Sequence, residues 1–298
     1  MEEIEYNYFL DELQEKSLRK IFSIFVVILM AIFATFFYIK IHFENNYDYI
    51  TINGLSMQPT LNAEPVYING KSVQDGVYIK RGTDADYGDI IIVDKRQDIG
   101  KTIIKRLLGK GGDLITIIKL DVGERAEYRF VRIKNGTNNV EVLEENYICG
   151  ESLNSSGYKR SLGYQEWGAK IDSKYDYESG CNYEELFYLQ YFWDSLTNSA
   201  KTNNVYRHEI TYQGQVYSDV KFYKIEENKI FYMGDNRGES GDARQSGTEY
   251  QSKINGKVVS IAHNSTTSRN SFFYILNRIT SFFDVLWQEI VEIFAWKA

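Results

Sequence analysis

Proline is almost missing from this 298-residue chain: there are two, Pro59 and Pro65, and both follow closely on Ser56. Proline locks φ and removes a backbone donor. Its placement marks a stretch whose backbone has to be rigid, or is chance in a proline-poor composition. Cysteine is equally scarce, with only Cys149 and Cys181. Two thiols are too few for a cysteine-only zinc site. In an oxidising compartment they are free to form a disulfide, a pairing the sequence leaves open. The three histidines, His42, His208 and His263, are scattered and match no metal-ligand spacing, so no metal and no cofactor is expected. An excess of positive charge is also lacking. The net charge of −7 argues against a nucleic-acid partner, whose phosphates require a basic footprint.

Long apolar runs are confined to one place. Residues 21–39 carry no charge and end on the bulky Phe37, Tyr38 and Ile39. A helix needs about 20 such residues to cross the hydrocarbon layer. A cleaved leader would have a shorter apolar core and a small-x-small exit. The run therefore reads as a retained transmembrane anchor rather than a core helix apolar on every face. Lys16, Arg19 and Lys20 precede it and Lys40 follows it. The positive-inside rule then puts residues 1–20 in the cytoplasm and everything beyond residue 43 outside, as a single-pass cell-membrane protein.

The outer part reads as mainly β. Short β-branched and aromatic runs at 49–52, 90–93 and 102–104 are punctuated by Gly, Asp and Asn. Alternation continues over 119–142 with a hairpin signal at Asn135-Gly136. Residues 146–204 are rich in Tyr, Ser, Asn and Glu, with a helix expected over 184–197. Strand patterns resume at 205–220 and again at 225–233. The expected organisation is an antiparallel β-sheet catalytic core from 44–118 and 225–262, interrupted by a less regular, β-rich inserted subdomain over 119–224. A C-terminal amphipathic helix follows over 271–298. There Phe272, Ile275, Leu276, Ile279, Phe282, Phe283, Leu286, Ile290, Ile293 and Phe294 recur at spacings of three and four. Two partners fit that helix: the outer leaflet of the membrane, or a protein surface.

Three short segments carry chemistry. Gly54-Leu55-Ser56-Met57-Gln58-Pro59-Thr60-Leu61 places a serine in a tight Gly-to-Pro turn. Thr102-Ile103-Ile104-Lys105-Arg106-Leu107-Leu108 places a lysine in an apolar strand. Gly234-Asp235-Asn236-Arg237, followed by Ser240, Asp242 and Arg244, forms a polar loop. A serine becomes a nucleophile only with a base beside it. A lysine serves as that base when burial disfavours its charged form. In a strand, Lys105 shares a face with Ile103, while Ile104 and Arg106 share the other. Arg106 either lowers the lysine pKa further or is a solvated neighbour. Gly100-Lys101-Thr102 has the look of a phosphate-loop end, but Lys95 stands where the loop's first glycine belongs and no helix pattern follows.

Together these segments resemble the bacterial type I signal peptidases, membrane-bound Ser/Lys endopeptidases that remove signal peptides from exported preproteins. Ser56-Met57-Gln58-Pro59-Thr60-Leu61 is similar to the family's nucleophile motif, and Tyr87-Gly88-Asp89-Ile90-Ile91-Ile92-Val93 to its next strand. Lys105-Arg106-Leu107-Leu108-Gly109 through Asp113 is similar to its lysine motif, and Gly234 through Gly247 to its last.

The resemblance implies that Ser56 attacks the scissile carbonyl and that its backbone N–H contributes to the oxyanion hole. Lys105 takes the serine proton, and Ser240 hydrogen-bonds and orients the lysine amine. Asp235, Asn236, Arg237, Asp242 and Arg244 are implied to hold the loop, the last two as an ion pair. It implies a preprotein substrate bound as an extended strand on a sheet edge. Shallow apolar pockets among Ile50, Ile52, Met57, Leu61, Ile92 and Ile104 would then admit only small side chains. Each of these six is also a plausible core residue.

Five positions depart from the family pattern. Gly54 stands where some members carry a second oxyanion serine, Gly111 where proline is usual, Ala243 where serine is usual, and Gly238-Glu239 where Asp-Asn is usual. With the long 114–224 connection, these changes suggest a specialised member. A rival reading of a different class is a non-catalytic relative acting as an assembly or chaperone factor for surface proteins. The intact Ser56, Lys105 and Ser240 argue against it. A Ser/Lys self-cleaving cytosolic regulator is disfavoured by the anchor and the acidic charge.

Overall fold

The structure, a computed structural model, describes residues 2–54, 56–62, 66–68, 71–122, 125–143, 145, 205–236, 240–263, 279–288 and 291. The chain divides into two compact units, Met1–Asp48 and Tyr49–Ala298.

The first unit is essentially one helix, α1 (Glu2–Asn46). Phe22, Phe25, Met30 and Phe33 lie bare on its different sides. A helix apolar all round has no stable place in water. This one is long and apolar enough to cross a membrane, as the run at 21–39 led us to expect. It also continues past that run, because Lys40 pairs with Glu44 one turn on and the Asn46 amide donates to the His42 carbonyl.

The second unit is mainly antiparallel β. Its strands are β1 (Tyr47–Thr51), β2 (Val66–Ile68), β3 (Lys71–Val73), β4 (Gly76–Arg81), β5 (Ile90–Lys95), β6 (Lys101–Lys110) and β7 (Leu114–Val122). After them come β8 (Arg125–Ile133), β9 (Val140–Val142), β10 (Val205–Tyr212), β11 (Gln215–Lys224), β12 (Lys229–Met233), β13 (Glu249–Tyr250) and β14 (Ile254–Ala262). A seven-stranded sheet runs in the order β1-β4-β14-β5-β6-β12-β13, and a five-stranded sheet in the order β10-β11-β7-β8-β9. Two very short helices, α2 (Arg96–Ile99) and α3 (Ala243–Ser246), connect strands.

The uninterrupted apolar run of β5 reflects burial on both faces. Ile91 and Val93 pack in one cluster with Leu107, Phe231 and Met233. Ile90 and Ile92 pack in a second cluster with Met57, Leu61, Val77 and Ile104. Turn chemistry explains the connections. Gly100 closes α2 at φ 72°, a left-handed conformation open to glycine, and swings the chain back as β6. Lys101 and Thr102 thus open a strand, which disposes of the phosphate-loop likeness. Asn135-Gly136 turns β8 into its antiparallel partner β9.

The expected helix over 184–197 and both cysteines lie outside the described residues. Of the C-terminal helix, residues 279–288 are described and helical. The side it turns inward is not the broad apolar stripe that its sequence advertises. Ser281 and Val285 are buried, the Ser281 hydroxyl donates to the Ile261 carbonyl, and Phe282 meets the edge of Tyr78. Ile279, Phe283 and Trp287 point outward.

Candidate active site

Three elements deliver the site. The turn after β1 carries Ser56, the middle of β6 carries Lys105, and the loop after β12 carries residues 234–236 and 240–242. Lys105 Nζ lies 2.8 Å from Ser56 Oγ and donates to the Ile104 carbonyl at 2.8 Å. The lysine is 3% exposed. Burial pushes its pKa down to about 8, against the upward pull of the Asp242 and Asp235 carboxylates. An amine in that state is neutral often enough near neutral pH to accept a proton.

Arg106 takes neither of the two roles open to it from sequence. Its guanidinium grips the buried Asp235 carboxylate, Nε to Oδ1 at 2.8 Å and Nη2 to Oδ2 at 2.5 Å, and also donates to the Gly88 carbonyl. Thr60 Oγ1 donates to the same carboxylate at 2.5 Å. Asn236 donates its backbone N–H to the Ser56 carbonyl at 3.0 Å. The polar loop, the nucleophile turn and β6 are therefore tied together at adjacent residues.

Asp242 and Arg244 form a fully buried pair, with Arg244 Nε 2.9 Å from Asp242 Oδ1. Burial pushes the Asp242 pKa up, but the Arg244 charge and the Gly234 N–H outweigh it and hold the carboxyl below its usual range. Asp242 also caps α3, completing a capping box with Gln245. Arg237 lies outside the described residues.

Ser240 does not hydrogen-bond the lysine amine here. Its Oγ is buried beside Asp242 and makes no hydrogen bond of ordinary geometry among the described residues. Its position depends on Gly234, whose role sequence reasoning missed. A Cβ on Gly234 would lie 2.2 Å from Ser240 Oγ and 2.3 Å from the Ser56 carbonyl oxygen. Only glycine lets the two serines approach from either side.

A groove of roughly 600 Å³ opens at Ser56 and Lys105. Ile50, Ile52, Ile92 and Ile104 line it, together with Gly54, Thr102 and Ile103. Met57 and Leu61 lie beneath, in the buried cluster on the Ile90 and Ile92 face. No group of His, Cys, Asp and Glu among the described residues has the arrangement of a metal site.

Residues 18–262 match the family described as signal peptidase, peptidase S26. The chain belongs to this family of peptidases. In structure it is similar to a signal peptidase I from Enterococcus faecalis V583, at 16% sequence identity and a TM-score of 0.27. That similarity covers 59% of this chain and 97% of the other. No curated protein matches the chain in sequence comparison.

Proposed function

We propose that the chain removes signal peptides from exported preproteins with Ser56 as nucleophile and Lys105 as general base. The observation that carries this reading is the 2.8 Å contact between Ser56 Oγ and a buried amine whose pKa is about 8. Neutral Lys105 takes the Ser56 proton as Oγ bonds to the scissile carbonyl carbon. The resulting oxyanion is met by the Ser56 N–H. Collapse breaks the C–N bond, and the leaving amine takes the proton back from Lys105. A water then loses a proton to Lys105 and attacks the acyl carbon, and the C–Oγ bond breaks as Lys105 returns that proton to Ser56 Oγ. Ser240, a buried hydroxyl beside Asp242 that makes no hydrogen bond of ordinary geometry among the described residues, is placed to turn toward the amine and steady it once substrate fills the groove.

Strand pairing supports an extended substrate. β12 pairs with β6 only from Arg106 onward, while residues 101–105 of β6 pair only with β5 among the described strands. Their other edge borders the groove, and β1, the outer strand of the sheet, borders it across from them. A peptide laid there adds a strand. The isoleucines beneath it leave room for small side chains, consistent with cleavage after small residues. Lys16, Arg19 and Lys20 before the apolar helix support a cytoplasmic N-terminus and an extracytoplasmic site. The outward stripe Ile279, Phe283 and Trp287 leaves the C-terminal helix one face for lipid or for another protein.

The test is cleavage of a preprotein with a small residue at the processing site, using the full chain in detergent or vesicles. Ser56→Ala and Lys105→Ala, each folded, abolish cleavage under this reading. Full activity in either variant rejects it.

A further inference from the structure

Asn62 uses every hydrogen-bonding group it has, all of them close to the nucleophile turn. It sits at φ 54°, in the left-handed region that asparagine tolerates better than most residues. Its side-chain Nδ2 donates to the Ile52 carbonyl at 2.8 Å and to the Gly54 carbonyl at 3.0 Å. Its Oδ1 accepts from the Asp75 backbone N–H at 2.8 Å, and its own N–H donates to Asp75 Oδ2 at 2.7 Å. Its carbonyl accepts from Gln58 Nε2 at 2.6 Å. Asp75 is buried, and its carbonyl accepts from the Ile52 N–H.

Residues 52–54 are a groove wall, not a regular strand: β1 ends at Thr51. Beyond the bond from the Ile52 N–H to the Asp75 carbonyl, no ladder among the described residues continues on the Asn62 side. The Asn62 amide supplies what a neighbouring strand would, two donors to alternate carbonyls. Few other side chains fit. Aspartate has no donor for the two carbonyls, glutamine is longer by a methylene, and most residues resist the backbone angle.

We propose that Asn62 is the positioning residue of the substrate groove. It takes the place of a missing strand and holds the Ile52 and Gly54 carbonyls, so that the backbone of residues 52–54 keeps the form that pairs with the peptide next to the scissile bond. It acts on peptide docking, not on the reactivity of Ser56. The inference rests on the peptidase reading above.

The experiment compares two substrates of the full chain. One is an extended peptide with small residues before the cleavage site. The other is a small β-lactam acylating probe that meets Ser56 without running along residues 52–54. Asn62→Gly keeps the left-handed backbone and removes the amide, and Asn62→Asp keeps the acceptor and removes the donors. Both raise KM for the peptide by about tenfold to thirtyfold, the worth of two modest hydrogen bonds. Both leave the probe's acylation rate within about twofold of wild type, within the noise of a surface substitution. An unchanged peptide KM in either folded variant overturns the proposal. So does a parallel fall of peptide and probe rates together with Tm, or failure of both variants to fold, since each marks a purely structural role. Should the probe not acylate Ser56 even in the wild type, the peptidase reading itself falls and takes this inference with it.

Discussion

Arg106 and Asp235 face each other through two parallel hydrogen bonds, and each is the chain neighbour of a residue at the reacting centre. Arg106 follows Lys105, and Asp235 lies between Gly234 and Asn236, whose N–H holds the Ser56 carbonyl. The pair sets β6 and the polar loop in register. The Asp235 side chain is fully buried and that of Arg106 nearly so. Removing one partner strands a buried charge, at a cost of about 3–5 kcal/mol. Arg106→Met and Asp235→Leu are each expected to lower stability by that order in denaturant unfolding and to lower kcat/KM as well. The double substitution removes both charges and is expected to cost less than the sum of the two. Strict additivity would show that the pair is not a functional unit.

The activity of the enzyme is expected to rise with pH through about 8. Under the proposed mechanism the lysine acts only as the free amine, and burial lowers the pKa of Lys105 to about 8 from its ordinary 10.5. The acid limb of kcat/KM, measured on the folded full chain, reports that value in free enzyme. A flat profile between about pH 6 and 9 is incompatible with a lysine base.

The same burial has a stability consequence of definite sign. Lys105 binds its proton less tightly folded than unfolded, so the fold carries the full cost of the buried cation below about pH 8. That cost disappears as pH rises toward the unfolded value of 10.5. The difference corresponds to about 3 kcal/mol. Lys105→Met is therefore expected to stabilise the protein at neutral pH and below. The wild type should gain stability relative to the variant between about pH 8 and 10.5. Paired unfolding curves at several pH values measure this. A stability difference that does not move with pH would mean that the amine is not desolvated.

Much of this arrangement was legible in the chain, and the reason is local. The uninterrupted Ile90, Ile91, Ile92 and Val93 run announced a strand buried on both faces, and the two core clusters divide it residue by residue. Asn135-Gly136 announced a turn because glycine takes the positive φ the turn needs, 77° at Gly136. What stayed hidden depends on distance between segments. Nothing in Gly234 itself says that two serines crowd its α-carbon. Nothing near Asn62 says that Asp75 is its partner. Arg106 was ambiguous because its partner, Asp235, is far along the sequence. The C-terminal helix misled by periodicity alone. Its packing is set by where β14 and β4 offer a carbonyl and a tyrosine, so Ser281 and Val285 turn inward while Phe283 and Trp287 stay out.

Ser240 allows a catalytic role to be separated from a structural one, because its buried hydroxyl touches Asp242 only weakly and does not hold the Lys105 amine in the resting site. The hydroxyl lies beside the Asp242 carboxylate and helps hold it ionised, but that carboxylate keeps Arg244 and the Gly234 N–H when the hydroxyl is removed. Ser240→Ala is thus expected to leave Tm close to the wild-type value. If the hydroxyl turns to the Lys105 amine during the reaction, the same substitution lowers kcat by about tenfold to a hundredfold, the loss of one hydrogen bond to a group that becomes charged. KM for peptide should stay near the wild-type value, since Ser240 is not among the groove-lining residues. A Ser240→Ala enzyme with wild-type kcat would show that the lysine is oriented by the Ile104 carbonyl alone. A marked fall in Tm would show instead that the hydroxyl supports the loop.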